Sequence, residues 1–366
     1  MKHTIYIFLT ILKTYQMCNN NFLNYLNEKE SKEILIIEKY PYHGECLPGF
    51  IKYFFDLGYK NIDILINENL NKLNPLNISF LINKINIFEY SSNLIEKFIT
   101  LGMCNFYKIC LFTTLEFELN DKIRLYLYQK TKFKKIIVFH ELKNINKNDT
   151  NYYNIIVLKK LKKNIPVFEI NPHFFGNYKF HNKQKITNFI TVGNIETFRK
   201  NFFLLFENVE KLIKNNILNF HVTVIGGGEQ IFLNITKKNN LNKYIKFTGR
   251  IPYDLMFQYL SNADFFLPLL DPEKHEIYLK EKTSGSFQLV YGFNIPMIIE
   301  KNFAEKYGFN NLNSVIYDTN KEFFNKLNYS IYMKNDEYIN IKYNLKLKTK
   351  EIEKISIKNL KFILNY

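Results

Sequence analysis

Several features that this chain lacks exclude whole classes of protein. Its four cysteines, Cys18, Cys46, Cys104 and Cys110, are too few for a disulfide-framed scaffold and lack the spacing of a zinc site. A reducing cytoplasm therefore fits the cysteine usage best. The apolar run Thr4 to Leu12 follows only one lysine, is too short to span a bilayer and has no small-residue cleavage site. We interpret this run as a peripheral helix that touches a membrane surface.

Tryptophan, an Asp-x-Asp motif and a dinucleotide-binding fingerprint are also absent. Gly226, Gly227 and Gly228 do follow an apolar run, but without the G-x-G-x-x-G spacing they predict only a tight turn. The 35 Phe and 26 Tyr come with an excess of Lys, Asn and Ile throughout the chain. This bias is typical of an AT-rich coding sequence and does not by itself indicate a function.

Positive charge is abundant, with a formal net charge of +16. Such a surface attracts nucleotide phosphates, nucleic acid or an anionic membrane. The lysines are scattered, and only Lys159 to Lys163 and the tail after Lys342 approach a cluster. Most aromatic residues lie inside apolar periodic runs, which is typical of a core and not of base-stacking platforms. Nucleic acid is therefore the least favoured of the three partners.

The first half of the chain alternates between apolar runs and helical segments. The runs have the length of strands buried on both faces of a parallel sheet, and they are Ile34 to Ile37, Ile62 to Ile66, Lys84 to Phe88, Lys108 to Phe112 and Lys135 to Phe139. Gly58 ends the helix between the first two strands, as a glycine just past a helix commonly does. The pattern predicts an α/β domain.

Two side chains in the loop after the first strand are candidate catalytic groups. His43 and Glu45 flank Gly44 at the carboxyl edge of the predicted sheet, where doubly wound folds place their ligands. Either group could deprotonate a hydroxyl. The alternative is that both are ordinary solvated loop residues.

The second half repeats the alternation and adds a candidate phosphate site. Strands are predicted at Asn188 to Val192, Phe220 to Ile225, Tyr244 to Thr248, Asp264 to Leu269 and Pro296 to Ile299. Thr283, Ser284, Gly285 and Ser286 begin a helix after a polar loop. Its positive end and free backbone N–H groups suit a phosphate. The alternative is an ordinary N-cap with a glycine that lets the helix pack closely.

This second half resembles the GT-B glycosyltransferases, notably the large group 1 family. The resemblance rests on the order and spacing of Phe247, Gly249, Leu255, Tyr259, Ala263, Asp264, Pro268, Gly285, Pro296 and Ile298. It implies two Rossmann-like doubly wound domains that face each other across a cleft. We expect an acceptor domain in residues 1–183, a donor domain in residues 184–345 and a last helix, 346–366, packed back on the first domain.

The resemblance also implies roles for particular residues. In the family an Arg and a Lys after a strand-ending glycine grip the donor diphosphate, and Arg199 and Lys200 follow Gly193 here, although Asn194 stands where the Arg is common. Gln288 is assigned to the ribose. A His or Asp near the reacting sugar often follows the strand that here ends at Phe139, so His140 is the preferred catalytic residue. A structural role for His140 is the alternative.

The implied activity is transfer of a sugar from a nucleotide-diphosphate sugar to a glycan, lipid-linked or protein acceptor, with retention of configuration. Without an Asp-x-Asp motif we expect no metal and no cofactor, because positive side chains and a helix start would stabilise the leaving diphosphate. We expect a cytoplasmic enzyme that contacts an anionic membrane at its surface. A sugar-nucleotide epimerase or hydrolase of the same fold, and a basic nucleic-acid-binding protein, remain alternatives.

Overall fold

The computed structural model describes residues 22, 25, 26, 32–78, 81, 84–114, 122–162, 164–178, 181–228, 230–238 and 240–365. The predicted peripheral helix from Thr4 to Leu12 lies outside these residues. Among the helices that are described, none is both long and apolar enough to cross a membrane.

A seven-stranded parallel sheet forms the first domain. Its strands are β1 (Lys32–Glu38), β2 (Ile62–Asn67), β3 (Ile85–Tyr90), β4 (Tyr107–Phe112), β5 (Lys134–Phe139), β6 (Asn154–Val157) and β7 (Phe168–Glu169). They lie in the order β3-β2-β1-β4-β5-β6-β7, so the strand order reverses between β1 and β4. The predicted strands are confirmed, and β6 was not predicted.

The second domain repeats this arrangement. Its strands are β8 (Thr187–Val192), β9 (Phe220–Ile225), β10 (Ile245–Gly249), β11 (Phe265–Phe266), β12 (Ile298–Glu300) and β13 (Val315–Tyr317). Four of them form the parallel sheet β10-β9-β8-β11, and a parallel bridge from Phe266 to Met297 connects it to the pair β12-β13. The strand order reverses between β8 and β11, which is the point where doubly wound sheets bind ligands.

Helices cover both sheets. They are α1 (Leu47–Asp56), α2 (Glu68–Asn71), α3 (Ser92–Thr100), α4 (Lys122–Leu127), α5 (Phe202–Lys214), α6 (Gln230–Lys238), α7 (Tyr253–Ser261), α8 (Ile277–Lys280), α9 (Ser286–Phe293), α10 (Lys301–Tyr307), α11 (Phe323–Tyr332) and α12 (Asn335–Asn365). Because helices lie on their faces, the central strands are buried along almost their whole length, as in β2. This burial explains the continuous apolar runs in the sequence.

The last helix is longer than the sequence indicates. The last helix was predicted over residues 346–366, but α12 begins at Asn335, because Tyr338, Ile341 and Leu345 continue the same buried side one turn after another. Its first turns pack on the second domain, where Tyr338 contacts Phe265. Its last turns pack on the first domain, where the amide of Asn359 donates a hydrogen bond to the carbonyl of Glu169.

Candidate active site

The carboxyl ends of the two sheets face one another across a cavity of about 690 Å³. Loops that follow β1 and β5 line it from the first domain, and loops that follow β8, β9 and β10 line it from the second. The structure places all the predicted site residues in its wall: His43, Glu45, His140, Gly193, Arg199, Lys200, Thr283, Ser284, Gly285, Ser286 and Gln288. Residues as far apart in the sequence as His43 and Gln288, about two thirds of the chain, thus line one cavity.

Two histidines stack on the first-domain side of the cavity. The ring centres of His43 and His140 are 3.8 Å apart and nearly parallel. The Nε2 atom of His140 lies 3.0 Å from the carbonyl oxygen of Thr113. Because a carbonyl oxygen only accepts hydrogen bonds, Nε2 carries the proton in the neutral ring and Nδ1 is left as the acceptor. Burial, together with the charge of His43, lowers the pKa of His140 to about 3.

His43 occupies an uncommon backbone conformation that makes this stacking possible. Its φ of 62° lies in the left-handed region, which most side chains avoid but which histidine enters more often than β-branched residues do. Backbone strain of this kind is concentrated at functional sites. The short 3₁₀ turn Gly44–Cys46 follows immediately and brings Glu45 to the cavity wall.

Glu45 connects the two domains. One carboxylate oxygen lies 3.4 Å from Nδ1 of His43, and the other accepts a hydrogen bond of 3.2 Å from the hydroxyl of Tyr253 in α7. A Cβ atom added to Gly285 would lie 3.5 Å from Glu45, so this carboxylate sits directly before the start of α9. Burial by itself raises the pKa of Glu45. The hydrogen bond from His43 and the charge of His43 lower the pKa by more than this, so the pKa lies below its ordinary value.

Lys200 lies beneath the start of α9. It is 5% exposed, and its Nζ atom donates to the carbonyl of Pro268, at 3.0 Å, and to the hydroxyl of Ser286, at 3.4 Å. Both partners are neutral, and burial lowers the pKa of Lys200 to about 7. The N-cap residue of α9 is Gly285, which has no side chain to cap the helix, and the hydroxyl of Ser284 accepts a hydrogen bond of 3.4 Å from the N–H of Ser286. A buried cation and a helix N-terminus therefore converge at one end of the cavity.

Arg199 differs from its neighbour. Its side chain is 39% exposed, and its Nε atom lies 2.5 Å from the carboxylate of Glu196. Lys200 and Arg199 were expected to act as an equal pair, but they differ. Lys200 is buried and has neutral partners, whereas Arg199 is half-exposed and has the carboxylate of Glu196 beside it. Lys200 is the better placed of the two to meet a desolvated anion.

Glycines form the floor of the cavity. At Gly226, which has a φ of 149°, a Cβ atom would lie 2.0 Å from the carbonyl oxygen of Gly193. Gly193 has a φ of 129°, and a Cβ atom there would lie 3.2 Å from Lys200. The turns after β8 and β9 pack backbone against backbone, which leaves the space above them open.

Gln288 lies in the first turn of α9 and is fully buried. Its amide contacts the thiol of Cys46, with its nitrogen 3.6 Å from the sulfur, across the boundary between the domains. This contact occupies the amide that was assigned to a ribose, so the ribose-facing role stays a prediction.

Several site residues were not predicted. Arg250 follows β10 and donates to the carbonyl of Pro41, at 2.7 Å, and Lys282 lies 2.5 Å from Glu141. With Arg199 and Lys200 they give the cavity wall four cationic side chains against one carboxylate, Glu45. Arg250 could have been found by the rule used for His43, since it too follows the carboxyl end of a parallel strand. No sequence signal indicates that Tyr253 reaches across the cleft.

A buried carboxyl group lies behind the histidines. Glu38, the last residue of β1, accepts hydrogen bonds from the hydroxyls of Thr113, at 2.8 Å, and Thr114, at 2.6 Å. The carbonyl of the same Thr113 contacts His140. Burial raises the pKa of Glu38 to about 7. In the part of the chain that the structure describes, no group of three or more His, Cys, Asp or Glu side chains is placed to bind a metal ion.

Comparisons with known proteins agree with this geometry. The family described as "Glycosyl transferases group 1" matches residues 187–281. Among solved structures, the chain is similar to TarM of S. aureus, in a mutant form bound to Fondaparinux, alpha-GlcNAc-glycerol and UDP, with a TM-score of 0.60, 10% identity and coverage of 92% of this chain and 100% of that chain. No curated protein matches this sequence.

Two further structures are similar over nearly their full length. Anabaena HepE in complex with UDP and glucose has a TM-score of 0.57 and 10% identity, covering 92% of this chain and 100% of that chain. A glycosyltransferase from Rickettsia africae ESF-5 has a TM-score of 0.56 and 12% identity, covering 92% and 98%. These likenesses establish the predicted GT-B fold of two Rossmann-like domains. Together with the family match, they show a chain of the GT-B fold whose second domain matches the group 1 glycosyltransferase family over residues 187–281.

Proposed function

We propose that this enzyme transfers a sugar from a nucleotide-diphosphate sugar to a carbohydrate or lipid-linked acceptor, with retention of configuration. The observation that carries the proposal is the position of Lys200. This buried cation lies at the start of α9, whose N-cap is Gly285, and Glu45 lies at the same helix start from the opposite domain. The donor diphosphate would lie at the cation, and the reacting sugar would lie between it and the first domain.

Lys200 and α9 would stabilise the leaving group. As the bond between the sugar and the diphosphate breaks, negative charge develops on the phosphate oxygens. A buried ammonium group and the N–H groups of a helix start lower the energy of that charge most where water is excluded. Arg199, Thr283, Ser284 and Ser286 line the same end of the cavity and would add further donors.

His140 would act by hydrogen bonding. A pKa of about 3 keeps its ring neutral at pH 7, and Nε2 is committed to Thr113. Nδ1 would accept a hydrogen bond from a sugar hydroxyl near the reacting carbon.

Glu45 would receive the acceptor proton. Its pKa lies below the ordinary value for glutamate, so the carboxylate is ionised at pH 7. For the configuration to be retained, the acceptor hydroxyl would attack the sugar carbon on the same face from which the diphosphate departs. The bond to the diphosphate would break as the new bond forms, and the hydroxyl proton would pass to Glu45. His43 contacts both Glu45 and His140 and would hold them in place.

We further propose that the reaction needs neither a metal ion nor a cofactor. The four cations of the cavity wall would neutralise the diphosphate, and the chain has no Asp-x-Asp motif.

A cytoplasmic site of action is supported by Cys46, Cys104 and Cys110, all of which are buried free thiols.

A thermal-shift experiment tests the donor site. UDP is the first nucleotide to examine, because two of the similar structures contain it. A ligand that binds only the folded protein raises the melting temperature according to its affinity. We expect one family of nucleotide sugars to stabilise the wild type, and this stabilisation should be lost in Lys200→Met. Lys211→Met changes an exposed lysine in the same domain and should keep it.

Turnover then separates transfer from the alternatives. Release of nucleoside diphosphate that requires an acceptor supports transfer, whereas release without any acceptor indicates a hydrolase and conversion of the donor sugar indicates an epimerase. The anomeric configuration of the product, read by NMR, tests retention. Loss of activity with a chelator would contradict metal independence, and no stabilisation by any nucleotide would overturn the donor site.

A further inference from the structure

The outward side of α12 carries a row of lysines that the proposed reaction does not use. Lys350, Lys354, Lys358 and Lys361 are exposed and recur every three or four residues. Residues at this spacing lie on one side of a helix. The buried side of the same helix is formed by Leu345, Thr349, Ser356, Leu360 and Ile363. At 100° per residue the lysine row lies directly opposite this buried side, so the lysines point away from both domains.

Large apolar side chains continue and flank this row. Tyr343 and Leu347 extend it toward the start of the helix, and Ile355 and Phe362 lie along one flank; each of the four is between 44 and 56% exposed. From Tyr343 to Phe362 the row is about 28 Å long at 1.5 Å per residue. Exposed aromatic and aliphatic side chains set among lysines are typical of helices that lie in a membrane interface.

The charge on this side is predominantly positive. Glu351 is the exposed acid beside the four lysines, and Glu353, which is half-buried, lies on the other flank. Lysines attract anionic headgroups, while the apolar side chains bury between them and the acyl chains. A nucleic acid would meet the same charge, but the apolar residues would gain nothing from a phosphate backbone.

The helix is anchored firmly enough to serve as a docking surface. Lys134 donates to the carbonyls of Ile363, at 2.9 Å, and Leu364, at 2.7 Å, which satisfies two carbonyls at the end of the helix. Ser356 accepts from the backbone of Asn171 at 3.0 Å in the first domain. The row is therefore displayed by an element that is fixed along its length.

We propose that the outward side of α12, defined by Tyr343, Leu347, Lys350, Lys354, Lys358, Lys361 and Phe362, docks on the surface of an anionic lipid bilayer. The helix lies flat on the headgroups with the lysines at the phosphates and the apolar side chains below them. The inference concerns binding alone and does not depend on the proposed sugar transfer.

Co-sedimentation with vesicles tests this surface. The full-length protein is mixed with vesicles of phosphatidylcholine and phosphatidylglycerol, or of phosphatidylcholine alone. We expect binding only to the anionic vesicles, weakened by salt. Replacing Lys350, Lys354, Lys358 and Lys361 by Gln should reduce partitioning by more than about tenfold. Tyr343→Ser with Leu347→Ser should reduce it without changing charge.

A matched variant controls for total charge. Lys211, Lys214, Lys237 and Lys243 are exposed lysines of the second domain, and their replacement by Gln removes the same charge elsewhere. This variant should keep wild-type partitioning, and the melting temperatures of all variants should show that they fold. Equal loss in both lysine variants, or no binding to anionic vesicles, would overturn the proposal. Loss of single-stranded RNA binding in the α12 variant, with no vesicle binding by the wild type, would identify the partner as nucleic acid instead.

Discussion

His43 and His140 stack ring on ring although 97 positions separate them in the chain, because the loops that follow β1 and β5 meet at one edge of the sheet. Two imidazolium groups at this distance would repel each other, so the pair holds at most one positive charge. One ring of the pair, that of His140, stays neutral at pH 7.

Replacing His43 by Phe should raise the pKa of His140. The variant keeps an aromatic ring to stack on His140 and removes the charge that opposes its protonation. Burial remains the larger cause of the low pKa, so His140 should still titrate below its ordinary range. An NMR titration of the histidine ring nitrogens measures this directly. An unchanged or lower pKa of His140 would show that His43 does not act on it through charge.

Burial of Lys200 should make the stability of the protein depend on pH above neutrality. Its pKa is about 7 in the folded protein and 10.5 ordinarily, so the unfolded chain binds more protons between these values. The free energy of unfolding should therefore rise with pH in this window, by up to about 1.4 kcal/mol per pH unit. Lys200→Met lacks this contribution. Urea unfolding of both proteins from about pH 6 to about pH 10 should show their difference closing as the pH rises.

The comparison of Lys200→Met with the wild type must be made without nucleotide, because a bound anion would favour the protonated lysine. A difference in stability that is constant across this pH range would mean that Lys200 keeps an ordinary pKa. Lys211→Met, at an exposed position of the same domain, again serves as the control.

Glu38 should contribute a slope of the opposite sign at lower pH. Its pKa is raised from 4.5 to about 7, so the folded protein binds more protons than the unfolded chain in this window. The contribution of Glu38 to the free energy of unfolding should therefore fall as pH rises from 4.5 to 7, by up to about 1.4 kcal/mol per pH unit. Glu38→Gln keeps the shape of the side chain without titrating. Denaturant unfolding should show this variant gaining on the wild type as the pH rises, and a parallel dependence would contradict the burial of an ionisable carboxyl group.

Gly226→Ala should disrupt the cavity floor, whereas Gly227→Ala should be tolerated. A Cβ atom at Gly226 would lie 2.0 Å from the carbonyl oxygen of Gly193 and would occupy a φ of 149°, but a Cβ atom at Gly227 meets nothing within 4 Å. We expect Gly226→Ala to destabilise the protein by more than about 1 kcal/mol and to weaken nucleotide binding. Thermal unfolding with and without nucleotide measures both effects. Equal behaviour of the two variants would show that the turns can separate without cost.

The sheets and the wall of the cavity could be predicted because their signals are local. Strands buried on both faces appear as continuous apolar runs, and the positions just after them fall at one edge of each sheet, which brought His43 into the predicted site. His140 and Gly193 entered it through the resemblance to GT-B glycosyltransferases. Strand β6 escaped prediction because its four residues follow a long polar stretch. Such a short apolar run does not by itself distinguish a strand from a buried loop.

The remaining features depend on contacts between distant parts of the chain. That Lys200 is buried and Arg199 half-exposed follows from the packing of Pro268 and Ser286 above them, and no spacing in the sequence distinguishes the two cations. The contact of Tyr253 with Glu45 depends on how the domains face each other. In the sequence, Glu38 is only the residue that follows an apolar run. Its link to the site becomes visible through Thr113 and Thr114, whose hydroxyls donate to it, since the carbonyl of Thr113 also contacts His140.

The path of α12 limits how the enzyme can be divided. The helix starts among the apolar residues of the second domain, at Tyr338, and ends with Leu360 and Ile363 buried against the first. A fragment that stops before Asn335 would lack α12, and an apolar groove would be exposed on both domains. The first domain produced alone would lack the helix that covers it, and the second domain produced with α12 would expose the buried side of the last turns. The two domains are therefore better regarded as a single unit of expression and refolding, and studies of isolated halves would report on proteins with an exposed core.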